Sequence, residues 1–231
     1  MPNIVKITTF PNLLDLLTPH SCRGCGQIGC ILCDRCKKHI ISTHQSLCPN
    51  CKSPTHFGKC LNCPDLPPVY IIGERTGLLS DIVHDYKYHS IRALAHPLAE
   101  LMHTFLPQPD TPSVTVPLPT IDRHIRARGF DHTKLIAKHL AKLQGPHCTT
   151  QSLLIRTKNT TQVGTNRTTR INQAADAYAI APHTTIDNHT TYILLDDVWT
   201  TGASMRACIE KLRHAGAQRI TIALLSLSRL D

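Results

Sequence analysis

The stretch ILLDDVWTTGAS, residues 193–204, joins an apolar run to two carboxylates and then to a loop of small residues. The aliphatic side chains predict a buried strand that ends at Leu195, directly before Asp196 and Asp197. The segment that follows, TGASMRACIEKLRHAG, has apolar residues at spacings of three and four, which predicts a helix closed by Gly216. A buried strand that leads through polar residues into a helix is typical of an α/β fold.

The chain from residue 67 onward repeats this alternation of strands and helices. Short β-branched or aliphatic runs predict further strands at VYIIG, PSVTVPLP, LLIRT and QRITIALLSLS. Helical spacing predicts helices at TGLLSDIVHDYKYHS, IRALAHPLAELMHTFL and DHTKLIAKHLAKL, with Pro97 near a helix start or a break and Asp131 as an N-cap. We therefore expect an α/β fold with a mostly parallel sheet and flanking helices on both faces.

The cysteines are concentrated near the N-terminus. Nine of the 11 lie between residues 22 and 63, and eight of these form four CxxC pairs: Cys22 and Cys25, Cys33 and Cys36, Cys48 and Cys51, Cys60 and Cys63. Two CxxC turns supply four thiolates to one tetrahedral Zn²⁺ ion and leave no open coordination position. We therefore predict two structural zinc sites, with Cys30 outside both.

The spacing of the pairs favours two short zinc ribbons read in sequence order, although a cross-braced pairing is also compatible with it. Bound metal would stabilise this segment, which is too short to form a sufficient hydrophobic core by itself. Prolines in the stretch DLPPVY favour an extended linker after this module. We expect residues 1–66 to form the double zinc ribbon and residues 67–231 to form a second domain.

The formal net charge of +9 is spread over both parts of the chain, with +4 in residues 1–66 and +5 in the rest. Eight thiolates on two Zn²⁺ ions would nearly neutralise the first part, so the effective positive charge lies mostly in the second. A positive surface favours a polyanionic partner. The N-terminus has no basic region followed by a long apolar run, so we expect no membrane insertion and a cytoplasmic location.

The loop after the acidic pair has the composition of a phosphate-binding site. Backbone N–H groups at a helix N-terminus attract anions, and the hydroxyls of Thr200, Thr201 and Ser204 add donors. The two carboxylates upstream would repel a second phosphate and more plausibly accept hydrogen bonds from sugar hydroxyls. Because ligands of parallel α/β folds bind beyond the carboxyl ends of the strands, the stretch predicts a site for a ribose 5-phosphate.

At this point the sequence resembles a known family. The aliphatic run, acidic pair and TTGxS loop are similar to the 5-phosphoribosyl 1-pyrophosphate (PRPP) signature of type I phosphoribosyltransferases. Upstream, VPLPTIDRHIRARGFDH, HDYKYHS and QVGTNRTTRINQAADAY resemble segments of the ComF/GntX branch, whose members also carry an N-terminal double zinc ribbon. Two departures are Asp131, where the family usually has Asn, and Tyr178, where it usually has Phe.

The resemblance implies a type I phosphoribosyltransferase fold and a set of ligand-binding residues. Asp196 and Asp197 would hold the ribose hydroxyls, and Mg²⁺ would bridge ribose and pyrophosphate oxygens. The 5-phosphate would lie on Thr200, Thr201, Gly202, Ala203 and Ser204, and the pyrophosphate near Leu118 and Arg128.

Other residues are candidates for contacts with nucleic acid or for the region over the site. They are Lys87, Arg123, Arg126, Arg170 and Trp199. Trp199 could stack on a base or pack as a wedge under the loop. The histidines His84, His89 and His132 are expected to be surface or core residues.

Members of the ComF branch are implicated in natural transformation, where they are thought to act on incoming single-stranded DNA in the cytoplasm. The resemblance therefore implies PRPP, single-stranded DNA and proteins of the DNA-uptake machinery as partners. Two hypotheses follow for the site: phosphoribosyl transfer to an acceptor that the sequence does not identify, or binding without turnover. A phosphoribosyltransferase of nucleotide metabolism is the alternative.

Overall fold

The computed structural model describes residues 20–157 and 177–228. Its main element is a five-stranded sheet in the order β1-β7-β6-β2-β3, in which every neighbouring pair is parallel. The strands are β1 (Val69–Glu74), β2 (Ser113–Pro117), β3 (Cys148–Thr150), β6 (Thr191–Trp199) and β7 (Arg219–Leu227). The predicted mostly parallel α/β sheet is confirmed.

Helices cover both faces of this sheet, as the alternating pattern predicted. They are α1 (Asp34–Ser42), α2 (Gly77–Tyr88), α3 (Ala95–Phe105), α4 (Asp122–Arg128), α5 (His132–Gln144) and α6 (Ala203–His214). A short 3₁₀ helix, Arg92–Leu94, leads into α3, so Pro97 lies in the first turn, where a missing N–H costs nothing. Asp131 is the N-cap of α5, and its carboxylate accepts a hydrogen bond from the Lys134 N–H at 3.1 Å.

Two local features differ from the sequence prediction. The LLIRT segment forms β4 (Leu154–Arg156), which pairs antiparallel with β5 (Tyr178–Ile180) in a separate two-stranded sheet. Both edges of β2 are already paired, one with β6 and the other with β3. The segment between β3 and β4 is too short for the crossover that a further parallel strand requires.

The second difference concerns the strand that carries the acidic pair. β6 does not end at Leu195 but continues to Trp199, because its pairing with β7 extends to the Trp199–Leu227 register. The two carboxylates therefore lie on the last part of a strand, whose main chain the sheet holds in place.

The side chains of β6 alternate between two cores. Ile193 and Leu195 belong to the core formed with α2, α3 and α5, whereas Tyr192 and Leu194 belong to the core formed with α6 and the small sheet. Leu194 and Leu195 are both fully buried. A strand buried on both faces has a continuous aliphatic sequence, which explains the run that precedes the acidic pair.

The cysteine-rich segment packs against the α/β part of the chain. Leu32 and Ile40, each 3% exposed, join the core of α2, α3 and α5. The Lys37 ammonium lies 2.7 Å from the Glu100 carboxylate of α3. The cysteine-rich segment and the α/β part of the chain therefore share one apolar core. Burial of each such side chain typically contributes about 1.5–3 kcal/mol.

None of the helices in the described ranges is both long enough and apolar enough to cross a membrane.

Candidate functional site

The eight paired cysteines form two clusters in sequence order. Each cluster holds two consecutive CxxC pairs, and within each cluster the four sulfur atoms lie within 4.8 Å of one another. The clusters are Cys22, Cys25, Cys33 and Cys36, and Cys48, Cys51, Cys60 and Cys63. The structure therefore has the sequential arrangement and not the cross-braced one. In the part of the chain that the structure describes, Cys30 belongs to neither cluster.

The geometry of both clusters fits a tetrahedral zinc ion. Four sulfurs at the usual Zn–S distance of about 2.3 Å lie about 3.8 Å apart in a tetrahedron. The Sγ atoms of Cys22 and Cys36 are 3.8 Å apart, and those of Cys25 and Cys33 are 3.6 Å apart. The Cys33 N–H also donates to the Cys22 sulfur at 3.3 Å, a contact that favours the thiolate form. Both clusters can thus hold Zn²⁺ in closed sites.

The acidic pair lies on the wall of a cavity of about 480 Å³ beyond the carboxyl end of β6. This is the edge of a parallel sheet at which ligands generally bind. The side chains around the cavity include the acidic pair, three strong cations and several polar or apolar residues: Asp196, Asp197, Lys87, Arg128, Arg156, Tyr88, Leu118, Thr120, His132, Tyr178 and Ser204.

Asp197 is the centre of a closed network of polar contacts. It is only 6% exposed, and its Oδ2 atom lies 2.5 Å from the Lys87 ammonium and 2.8 Å from Nε2 of His132. The Arg128 guanidinium closes this network, since it donates to the Lys87 carbonyl at 2.7 Å and contacts Nδ1 of His132 at 3.0 Å. Three helices, α2, α4 and α5, thereby converge on one carboxylate.

The two carboxylates have opposite pKa shifts. Burial alone would raise the pKa of Asp197, but the hydrogen bond from His132 and the charge of Lys87 outweigh it and hold that pKa below its usual range. For Asp196, burial and the neighbouring negative charge of Asp197 raise the pKa well above its usual value. The pair therefore favours one ionised and one protonated group, as expected for adjacent carboxyls.

The conformation of the loop between β6 and α6 depends on Gly202 and on Trp199, the single tryptophan of the chain. Gly202 has a φ of 73°, and a Cβ atom at this position would overlap the Trp199 ring. Trp199 is 3% exposed, so it packs as a wedge beneath the loop and does not present its ring for stacking. The Arg206 guanidinium lies 5.5 Å from the Trp199 ring.

The predicted phosphate-binding residues surround the start of α6. Ser204 lines the cavity, as does Tyr178. The Thr201 hydroxyl accepts a 3.4 Å hydrogen bond from the N–H of Ala203, the first residue of the helix, and Thr200 is exposed. The N–H groups and hydroxyls of this loop therefore lie at the same edge of the sheet as the acidic pair.

The remaining predicted residues occupy different positions. Leu118 lines the cavity, and its N–H donates to the Leu195 carbonyl at 2.9 Å. Arg123 and Arg126 are exposed on α4, whose residue Ala127 lines the cavity. Arg170 lies outside the described residues.

His132 is the residue of the site that the sequence interpretation missed. It is 4% exposed, yet it contacts both Arg128 and Asp197. The available signal was its position next to the RGF segment and directly after the N-cap Asp131, where the first side chain of a helix can face the end of a neighbouring strand.

No known family model matches the chain. It is similar to competence protein F of Haemophilus influenzae, with 26% identity over 205 residues that cover 83% of this chain and 88% of that protein. The resemblance to the ComF family predicted from the motifs is confirmed by this similarity.

Two solved structures also share similarity with this chain. A hypoxanthine phosphoribosyltransferase from Staphylococcus aureus is 13% identical, with a TM-score of 0.34 over 59% of this chain and 62% of that one. The glutamine phosphoribosylpyrophosphate amidotransferase from B. subtilis, complexed with ADP and GMP, is 14% identical, with a TM-score of 0.41 over 61% of this chain and 30% of that one.

The first prediction concerns zinc. The purified chain should contain about two Zn²⁺ ions, and Cys25→Ser or Cys51→Ser should each reduce this to about one, because each removes a ligand from one cluster. Cys30→Ser is the matched control and should keep both ions. Metal analysis by mass spectrometry measures the ratio. Loss of an ion in Cys30→Ser, or retention of both in Cys25→Ser, would contradict the two assigned ligand sets.

The second prediction concerns the loop glycine. Gly202→Ala should reduce the free energy of unfolding by about 1–2 kcal/mol for the left-handed backbone and by about 1–3 kcal/mol more for the contact with Trp199. Gly129→Ala is the control, because Gly129 has a similar φ of 76° but open space around its Cβ position. Denaturant unfolding of both variants measures the difference. Equal losses would show that Trp199 does not confine this loop.

Proposed function

We propose that this chain binds a ribose 5-phosphate ligand, in the first place PRPP with Mg²⁺, in the cavity at the end of β6. One observation carries the proposal: the acidic pair, Ser204 in the first turn of α6, Lys87 and Arg128 all line the same cavity. A ligand with a hydroxyl-bearing ring between anionic groups matches this combination of acceptors and cations. The similarity to competence protein F and the PRPP signature support the same assignment.

In this proposal the ribose lies against the acidic pair. Lys87 and His132 both contact Oδ2 of Asp197, which leaves Oδ1 to accept a hydrogen bond from a ribose hydroxyl. The 5-phosphate would lie at the N-terminus of α6, near Ser204, where backbone N–H groups and the helix dipole favour an anion.

The pyrophosphate would lie against the cations of the cavity. Arg128 and the turn at Leu118 line the cavity, and Lys87, which contacts Asp197, also lines it. The residues present fit Mg²⁺ that arrives with the ligand, because Asp196 and Asp197 offer the carboxyl oxygens that Mg²⁺ prefers as ligands. Bound there, Mg²⁺ would offset the charge of the leaving pyrophosphate.

We further propose that the ligand-binding domain handles single-stranded DNA during DNA uptake, together with proteins of the uptake machinery. The similarity to a competence protein supports this function, and so does the charge of +5 in residues 67–231. Arg123 and Arg126 are exposed on α4 beside the cavity, where they could contact phosphates of a strand. A phosphoribosyltransferase of nucleotide metabolism remains the alternative, and turnover separates the two.

The third prediction tests the ligand. PRPP with Mg²⁺ should bind the full chain in calorimetric titrations, and Asp197→Asn should weaken binding about tenfold or more, because the variant cannot form the charge-assisted hydrogen bond. Asp81→Asn makes the same chemical change at an exposed position of α2 and should bind like the wild type. Unchanged affinity in Asp197→Asn would refute the role of the acidic pair.

Pyrophosphate release in the same samples separates the two forms of this function. Binding with release that requires an acceptor identifies a transferase, and release that requires single-stranded DNA identifies the strand as that acceptor. Binding without release identifies a binding module. Absence of binding by the wild type would overturn the proposal.

The fourth prediction tests the DNA interface. Affinity for a short single-stranded DNA should fall with salt, and the double variant Arg123→Ala/Arg126→Ala should reduce the logarithmic slope by about 0.7 for each phosphate that the variant no longer neutralises. Arg219→Ala is the control, because Arg219 is exposed at the start of β7, at the opposite edge of the sheet. Fluorescence anisotropy measures both. Equal slopes in all three proteins would exclude α4 as the DNA-binding surface.

A further inference from the structure

His132 occupies an unusual position for a buried histidine. It is the first residue of α5, 4% exposed, and its ring lies between a permanently charged guanidinium and an ionised carboxylate. Both ring nitrogens are engaged by protein atoms, so the ring lines the cavity without a nitrogen to offer a ligand. His132 must therefore act through the two residues that it contacts, Arg128 and Asp197.

The two contacts determine where the ring carries its proton. An arginine side chain has only N–H donors, so Nδ1 of His132 must accept the hydrogen bond from Arg128. The proton then resides on Nε2, which donates to Oδ2 of Asp197. A doubly protonated ring would direct an N–H at the guanidinium, which is unfavourable. The geometry thus selects the neutral Nε2–H tautomer.

The main chain of His132 is held as firmly as its ring. The hydroxyl of Tyr86, a fully buried residue of α2, donates to the His132 carbonyl at 2.7 Å. The preceding residue, Asp131, caps α5 through the Lys134 N–H. The ring therefore has little freedom to move away from Asp197.

We propose that His132 is a positioning residue, which fixes the orientation of Asp197 so that its second oxygen faces the ligand. The inference rests on the proposed function, because the group that the second oxygen of Asp197 would bind is the ribose of the ligand. The Nε2–H tautomer of His132 is a property of the protein without a ligand, so it can be tested independently of PRPP. Lys87 supplies charge to the same carboxylate, but a flexible ammonium does not define direction, whereas a buried ring held at both nitrogens does.

Two substitutions distinguish positioning from simple filling of space. In His132→Gln, the amide oxygen can accept from Arg128 while the amide nitrogen donates to Asp197, so both contacts survive. His132→Leu has a similar volume and removes both. A role in packing alone predicts that the two variants behave alike, or that Leu is the better replacement.

The first measurement needs no ligand. In nitrogen-15 NMR spectra of the full chain at neutral pH, one histidine should show an unprotonated Nδ1 and a protonated Nε2, and its signals should be missing from His132→Gln. Crystals of the ligand-free variants should show Asp197 unmoved in His132→Gln and rotated in His132→Leu. The opposite tautomer, or an unmoved Asp197 in both variants, would overturn the inference.

The second measurement uses PRPP with Mg²⁺ as the probe. The dissociation constant should stay within about threefold of the wild type in His132→Gln and rise about tenfold or more in His132→Leu. Equal weakening in both would overturn the positioning role. If the wild type does not bind PRPP, the proposed function fails, and the spectra and crystals still decide the role of His132. If His132→Leu does not fold, the tautomer and the affinity of His132→Gln decide it.

Discussion

The site depends on a buried negative charge, that of Asp197. A carboxylate that is 6% exposed is stable in its ionised form only if neighbouring groups replace the water that burial removes. Lys87 and His132 do so directly, and Arg128 links these two residues to each other. Because these groups come from different helices, the packing of α2, α4 and α5 on the sheet and the ionisation of Asp197 support each other.

The cysteine clusters stabilise two of the elements that reach the site. Arg23, between two ligands of the first cluster, lies 2.6 Å from Asp85 on α2, two residues before Lys87. Asn50, between two ligands of the second cluster, accepts a hydrogen bond from Arg206 of α6, and Arg206 also contacts Trp199. Exposed polar contacts contribute little alone, about 0–1 kcal/mol each. For the first cluster, the apolar core that it shares with α2 supplies most of the energy, and the polar contact sets the orientation.

Features fixed by local chemistry were predictable from the sequence, and those fixed by tertiary contacts were not. The CxxC pairs, the Asp131 cap and the order of strand, loop and helix around the acidic pair depend on neighbouring residues, and the structure has all three. The predicted strand end at Leu195 was wrong, because pairing with β7 carries β6 on to Trp199. The small β4–β5 sheet depends on tertiary pairing, because both edges of β2 are occupied by β6 and β3. The role of His132 depends on the start of α5 meeting the end of β6, 65 residues away, and periodicity carries no such information.

We propose that the carboxyl end of β6 binds a ribose 5-phosphate between an acidic pair and a helix N-terminus. The most direct test is a crystal structure of the chain grown with PRPP and Mg²⁺. We expect the ribose hydroxyls within hydrogen-bond distance of Asp197 and the 5-phosphate on the backbone N–H groups around Ser204. A ligand bound elsewhere, or a 5-phosphate bound next to Asp197, would contradict this proposal.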